Sequence, residues 1–262
     1  MRKNALTICG STCVLGAFGV FLRWVQNQVC FDPETGLAVS GKVWPYLTVL
    51  WIVVAAAVLG AQCQRMKNRE RTHRPETFAE AFVAERPAAA IAAVCCGVLM
   101  AAGSAVLFAT VPSSERQQVL LRLLAGFGVL TGIAFPVQLR STGEEPPPAG
   151  TAVAATVPIV LFAFWLVVSY KTHIVNPTIS AYSVEILALS AATIAFYQVA
   201  GFAYARPKAI RAVFWCQFAA FLCLMTLADS RYTGEQIMLV AAAAMLLLQS
   251  WLVVSNIKPI EE

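Results

Sequence analysis

Glu185, Arg122 and Arg23 are the residues whose type and setting could do chemistry, because each is an ionisable side chain inside or at the edge of a long apolar run. A charge at membrane depth is costly and is kept where it is paired or where it handles an ion or polar solute. Measured from the neighbouring polar loops, Arg122 lies about one helical turn inside its run and Glu185 about one to two turns inside, while Arg23 closes the first run. All three fall on the same side, so Glu185 is expected to pair with Arg122 or Arg23. With Asp32, Glu34, His173 and Asp229 in the adjoining loops, they form the floor and rim of a polar cavity for a small solute or ion. The same residues also fit a plainer arrangement. Arg122 and Arg23 would then extend along apolar surface to the headgroups, leaving Glu185 in a structural ion pair.

Other chemistries find no footing. Eight cysteines are present, but none form a Cys-x-x-Cys pair, and Cys30 and Cys63 fall on opposite sides of a membrane. The rest read as small apolar packing residues. The two histidines, His73 and His173, are also on opposite sides, so no metal site is expected, and no cofactor is implied. The chain contains no phosphate-binding glycine loop, nucleophile elbow or zinc-protease motif, so a membrane-embedded enzyme, which would have to assemble its site from scattered polar residues, is the third and least expected class. Gln198 and Gln217, in the inner halves of their runs, suit hydrogen bonds across helix interfaces.

These residues must be positioned by membrane helices. Of 262 residues, 59% are hydrophobic and 13% charged, against about 45–50% and about 25% in soluble domains. Several apolar runs exceed the roughly 20 residues that cross a bilayer, and none alternates as a membrane barrel requires. The chain is read as an all-α integral membrane protein, a bundle of about eight transmembrane helices. The spans are expected near residues 5–24, 43–62, 87–110, 119–139, 152–170, 179–204, 209–227 and 236–254. The first is read as a retained span, because it is long for a signal segment and ends at Arg23-Trp24.

Thirteen of the 19 Lys and Arg residues lie on one side, six of them in the stretch 63–87. Positive loops stay in the cytoplasm, which places both termini inside and the Glu185 region outside, with the cell membrane as the expected location. The net charge of +5 is therefore an orientation signal, not a nucleic-acid footprint. Arg65, Lys67, Arg69, Arg71 and Arg74 suit anionic lipid headgroups. Beyond them, residues 75–86 carry Phe78, Phe82 and Val83 at helical spacing and are expected to lie at the interface as a short helix.

Small residues recur every four positions at Ala89, Ala93, Gly97, Ala101 and Ala105, and again at Gly128 and Gly132, an interval that lets helices approach closely. Arg86-Pro87 and Arg206-Pro207 open corresponding spans, and Gln117-Gln118-Val119-Leu120-Leu121 resembles Glu235-Gln236-Ile237-Met238-Leu239. Either a parallel duplication explains this, with halves 1–142 and 151–262 joined by a Pro-rich linker at 143–150, or short-looped apolar helices simply look alike. Small-solute or ion transport, or a subunit of a transport complex, is the leading expectation. The other class is a structural or regulatory membrane subunit, acting by helix packing, its basic loop, and a protein partner or second copy.

Overall fold

The computed structural model describes residues 2–32, 37–39, 41–68, 72–82, 87–113, 117–140, 147–173 and 178–259. In chain order the helices are α1 (Arg2–Val29), α2 (Trp44–Lys67), α3 (Phe78–Phe82), α4 (Ala88–Thr110), α5 (Gln118–Arg140), α6 (Ala149–His173), α7 (Ile179–Ala203), α8 (Ala209–Met225) and α9 (Thr233–Ser255). Two two-residue strands, β1 (Thr72–His73) and β2 (Lys258–Pro259), pair antiparallel. Among the described residues, every helix except α3 is long and apolar enough to cross a bilayer, eight in all. This is a multi-pass membrane protein.

Span limits fall close to those expected, and the main difference matters. Helix α1 runs on to Val29, five residues beyond the expected end at 24. Arg23 therefore lies inside the span, more than a turn from its end, and does not close it. The linker at 143–150 falls outside the described residues up to 146, and Ala149 and Gly150 already belong to α6.

The most buried spans, α8 and α9, form the centre. Helices α1 and α2 pack against α8, with α1 also on α9; α4 packs on α5 and α9, α5 on α6, and α6 on α7. The two halves of the chain therefore share one core. Helix α2 is the least buried span and turns most of its surface outward.

Backbone approach sets two of these contacts. Pro136 inside α5 removes the N–H that the Gly132 carbonyl would accept, and that carbonyl turns towards α4. A Cβ on Gly97 would run into it, and a Cβ on Gly132 would stand 2.7 Å from the Gly97 carbonyl oxygen. Ala93 and Ala101 continue this contact face, whereas Ala105 is exposed. Helices α4 and α9 cross as closely: a Cβ on Gly103 would lie 2.9 Å from the Gly234 oxygen. Pro158 likewise frees the Ala154 carbonyl, which accepts from Gln138 Nε2 at 3.0 Å, and Gln138 Oε1 in turn accepts from Gln249 at 2.8 Å. Polar groups in an apolar medium need such partners.

The short helix α3 does not lie with its apolar face in lipid, as expected for 75–86. Phe78, Ala81 and Phe82 are buried against α7 and α9, with the Phe82 ring edge-on to Phe202 at 5.6 Å. Asn256 Nδ2 donates to the Ala81 carbonyl at 3.0 Å. At its start, the Glu80 N–H donates to Thr77 Oγ1 at 3.2 Å, and Glu80 Oε2 accepts from the Glu76 N–H at 2.9 Å. This is close to a reciprocal capping box. The Glu76 N–H, reinforced by nearby His73, holds the Glu80 carboxyl below its ordinary 4.5.

Two outcomes follow. Gly97→Val forces α4 off α5 and costs about 2–3 kcal/mol by overpacking, read as a lowered unfolding temperature in detergent. A carboxyl whose folded pKa is depressed stabilises above its unfolded pKa and stops doing so as pH falls through the folded value. Proteolysis within 72–82 therefore rises as pH drops below about 4.5, and Glu80→Gln removes that pH dependence.

Candidate functional site

The bundle end that carries the α1–α2 and α8–α9 connections holds a chain in which guanidinium and carboxylate groups alternate and a histidine comes last. Its first member is Arg23, whose side chain is wholly buried. Arg23 Nε donates to Asp229 Oδ1 at 2.6 Å, Nη1 to the Ser180 carbonyl at 3.0 Å, and Nη2 to the Ala181 carbonyl at 2.5 Å. Both carbonyls belong to the first turn of α7, so one guanidinium ties α1 to α7 and to the turn after α8. Charge-assisted bonds of this length are the strong ones.

Asp229 follows the 3-10 turn Thr226–Ala228 that ends α8. Its Oδ1 also accepts from Asn27 Nδ2 at 3.1 Å, and its Oδ2 lies 3.4 Å from Arg231 Nη2. The same Arg231 nitrogen is 3.4 Å from Glu185 Oε2 on α7. His173, the last residue of α6, places Nε2 3.4 Å from that Glu185 oxygen and stacks on Tyr182 with ring centres 4.8 Å apart. The order Arg23–Asp229–Arg231–Glu185–His173 thus joins α1, α6, α7 and the α8–α9 link. Glu235, buried in the first turn of α9, stands within electrostatic reach of Arg231, Glu185 and His173.

The structure gives Glu185 different partners from those expected. It meets Arg231 and His173, while Arg23 takes Asp229. Arg122 stands apart: its guanidinium lies over the Phe108 ring at 5.3 Å. With the Gln118 amide turned to face it, the Gln118 oxygen accepts from both Arg122 Nη atoms at 2.7 and 3.1 Å. Arg122 therefore reaches back toward the start of α5, the course of a side chain heading for the interface. Asp229 and His173, expected at a cavity rim, are bonded into the network. Glu34 lies outside the described residues.

The sequence does not mark Arg231, Asn27 and Glu235 as site residues. The first and last sit at the edges of polar turns, where charges are ordinary, and only the fold brings them inward. Asn27 shares a face with Arg23 once α1 extends to Val29.

A second polar set lies toward the opposite end. Gln217 on α8 accepts from Thr12 Oγ1 on α1 and donates to Ser250 Oγ on α9 at 2.6 Å, so it bridges helices as expected. Gln198 is half-buried. Among the described residues no group of histidine, cysteine and carboxylate side chains could hold a metal ion.

No protein-family model, curated protein or solved structure matches this chain.

Removing one partner of a buried pair leaves the other charge uncompensated, at about 3–5 kcal/mol. Arg23→Met is expected to cost that much in detergent unfolding. The double variant Arg23→Met/Asp229→Leu recovers most of it, because no charge is then stranded. A double variant no more stable than the single one would show that Asp229 depends on other groups.

Proposed function

We propose that the protein carries a small solute or ion across the cell membrane, with the Arg23–Asp229–Arg231–Glu185–His173 network closing the path at the outer face. The orientation rests on the Lys and Arg distribution, which puts both termini in the cytoplasm. The observation that carries the reading is charge balance. The cluster sets the carboxylates of buried Asp229 and Glu235 and half-buried Glu185 against the guanidinium groups of buried Arg23 and half-buried Arg231. Among the described residues of the cluster, one negative charge is left over. A proton, on His173 or a carboxyl, or a small cation neutralises it. A cluster with one exchangeable charge at membrane depth is the kind of arrangement by which transport proteins couple opening to ion binding. Glu185 is the residue on which this role turns, since it faces both Arg231 and His173.

The alternative is a structural or regulatory subunit. It is favoured by one observation: every member of the chain from Arg23 to His173 already has a protein partner, and Arg23 has no access to solvent. On that reading the network is a clamp, and the lipid-facing surface of α1 and α2 receives a protein partner or second copy.

The two readings separate in reconstituted liposomes on a solid-supported membrane. Transport predicts currents on pH steps or on addition of some members of a panel of small ions and polar solutes, above those of empty liposomes. Glu185→Gln is expected to cut these currents at least tenfold while the protein still elutes as a single folded peak. Currents unchanged by Glu185→Gln would overturn the assignment to this network, and none from the wild type across the panel would favour the clamp.

A further inference from the structure

The opposite end of the bundle holds a cleft of about 390 Å³ between the end of α2, the segment after β1 and the start of α8. Among the described residues, Lys67, Arg74, Lys208 and Arg211 line it, with Glu76 as the sole carboxylate, a net charge of +3 over these five side chains. Among the described residues none of Lys67, Lys208 and Arg211 has a carboxylate within ion-pair distance. Arg74 spends one nitrogen on the Lys67 carbonyl, at 2.7 Å. Four like charges repel one another across so small a space, so the cleft is built for an anion.

The backbone points to the same ligand. Helix α8 begins at Ala209 without a side-chain cap, and Ala209, Ile210 and Arg211 all line the cleft. The first N–H groups of a helix have no intrahelical partner and carry the positive end of the helix dipole, which together favour a phosphate. The two basic stretches that supply the cations are far apart in sequence, and both helix ends lie where the spans meet the interface. Pro75, buried behind Arg74, and the pairing of Thr72 and His73 with Pro259 and Lys258 fix the approach of the first stretch.

We propose that this cleft is a binding site for a phosphate group, carried either by an anionic phospholipid headgroup or by a soluble phosphate. The lipid is the nearer source, because α2 and α8 bring the cleft to headgroup height on the side where anionic lipids concentrate if both termini are cytoplasmic. The proposal does not depend on the reading of the ion-pair network at the other end.

The test is native mass spectrometry of the detergent-purified full chain, offered phosphatidylglycerol, phosphatidylcholine or inorganic phosphate. The lipid source predicts preferential retention of one phosphatidylglycerol, weakened about thirtyfold in Lys208→Gln/Arg211→Gln, as two lost cations near a surface imply. Lys208→Arg is expected to keep it. A soluble source predicts instead an inorganic phosphate adduct, lost in the same double variant, with no preference between the lipids. If the double variant does not fold, wild-type retention of either ligand still has to fall steeply as salt is raised from about 0.1 to about 0.5 M. Retention of phosphatidylglycerol and phosphatidylcholine alike with no phosphate adduct, or binding untouched by the double variant and by salt, would overturn the site.

Discussion

A guanidinium sealed from water inside an apolar bundle is the constraint on which one end of this protein depends. Arg23 cannot lose its charge under ordinary conditions, so the surroundings have to supply a carboxylate and acceptors in fixed positions. They do so with Asp229 and two first-turn carbonyls of α7. Asp229 in turn needs the tight 3-10 exit from α8 to point inward, and Arg231 follows from that turn to meet Glu185. Remove the first pair and the reason for the shape of the α8–α9 connection goes with it.

Arg23 reaches its partners because the helix that carries it lies close to α8. Thr12, Gly16, Gly19, Arg23 and Gln26 are all buried, and their spacing of four, three, four and three residues keeps them on one face of α1. A Cβ on Gly16 would stand 2.9 Å from Leu224 Cδ1, and one on Gly19 would stand 3.3 Å from Met225 and Phe221. Small residues in the middle of the face bring the backbones together, and polar residues at its two ends make the specific bonds: Thr12 to Gln217, Arg23 to Asp229. Lipid offers no hydrophobic drive for helix association, so close packing and polar bonds have to hold the helices.

The spans were legible because twenty-residue apolar runs have one physical solution in a bilayer, and Gly97 and Gly132 because a four-residue interval of small residues has one use there. The face of α1 was not legible: a charge at Arg23 reads as a span boundary, and a helix ended there leaves out Gln26 and Asn27, which complete the stripe. The partner of Glu185 was not legible. Arg122 and Arg23 lie on the same side as Arg231, and only the packing of helices decides which of the three meets Glu185. Phe78 and Phe82 showed helical spacing correctly, yet spacing cannot say whether an apolar face meets lipid or protein. Asn256 and Phe202, distant in sequence, make it protein.

Between the two polar layers the central helix is apolar. From Phe218 to Met225 the side chains of α8 are Phe, Ala, Ala, Phe, Leu, Cys, Leu and Met, and nearly all are buried. At about 1.5 Å per residue the stretch from Gln217 to Asp229 spans roughly 18 Å, too far for a polar solute to cross without displacing something. The side of this layer that faces α1 is closed by Gly16 and Gly19, which contribute no side chain of their own. The contact there is dispersion across a narrow gap, short-ranged and lost within about an ångström of separation, whereas Arg23–Asp229 at one end and Thr12–Gln217 at the other are directional. The network and the glycine contact therefore close the same interface by different means, and any path along α8 has to open both.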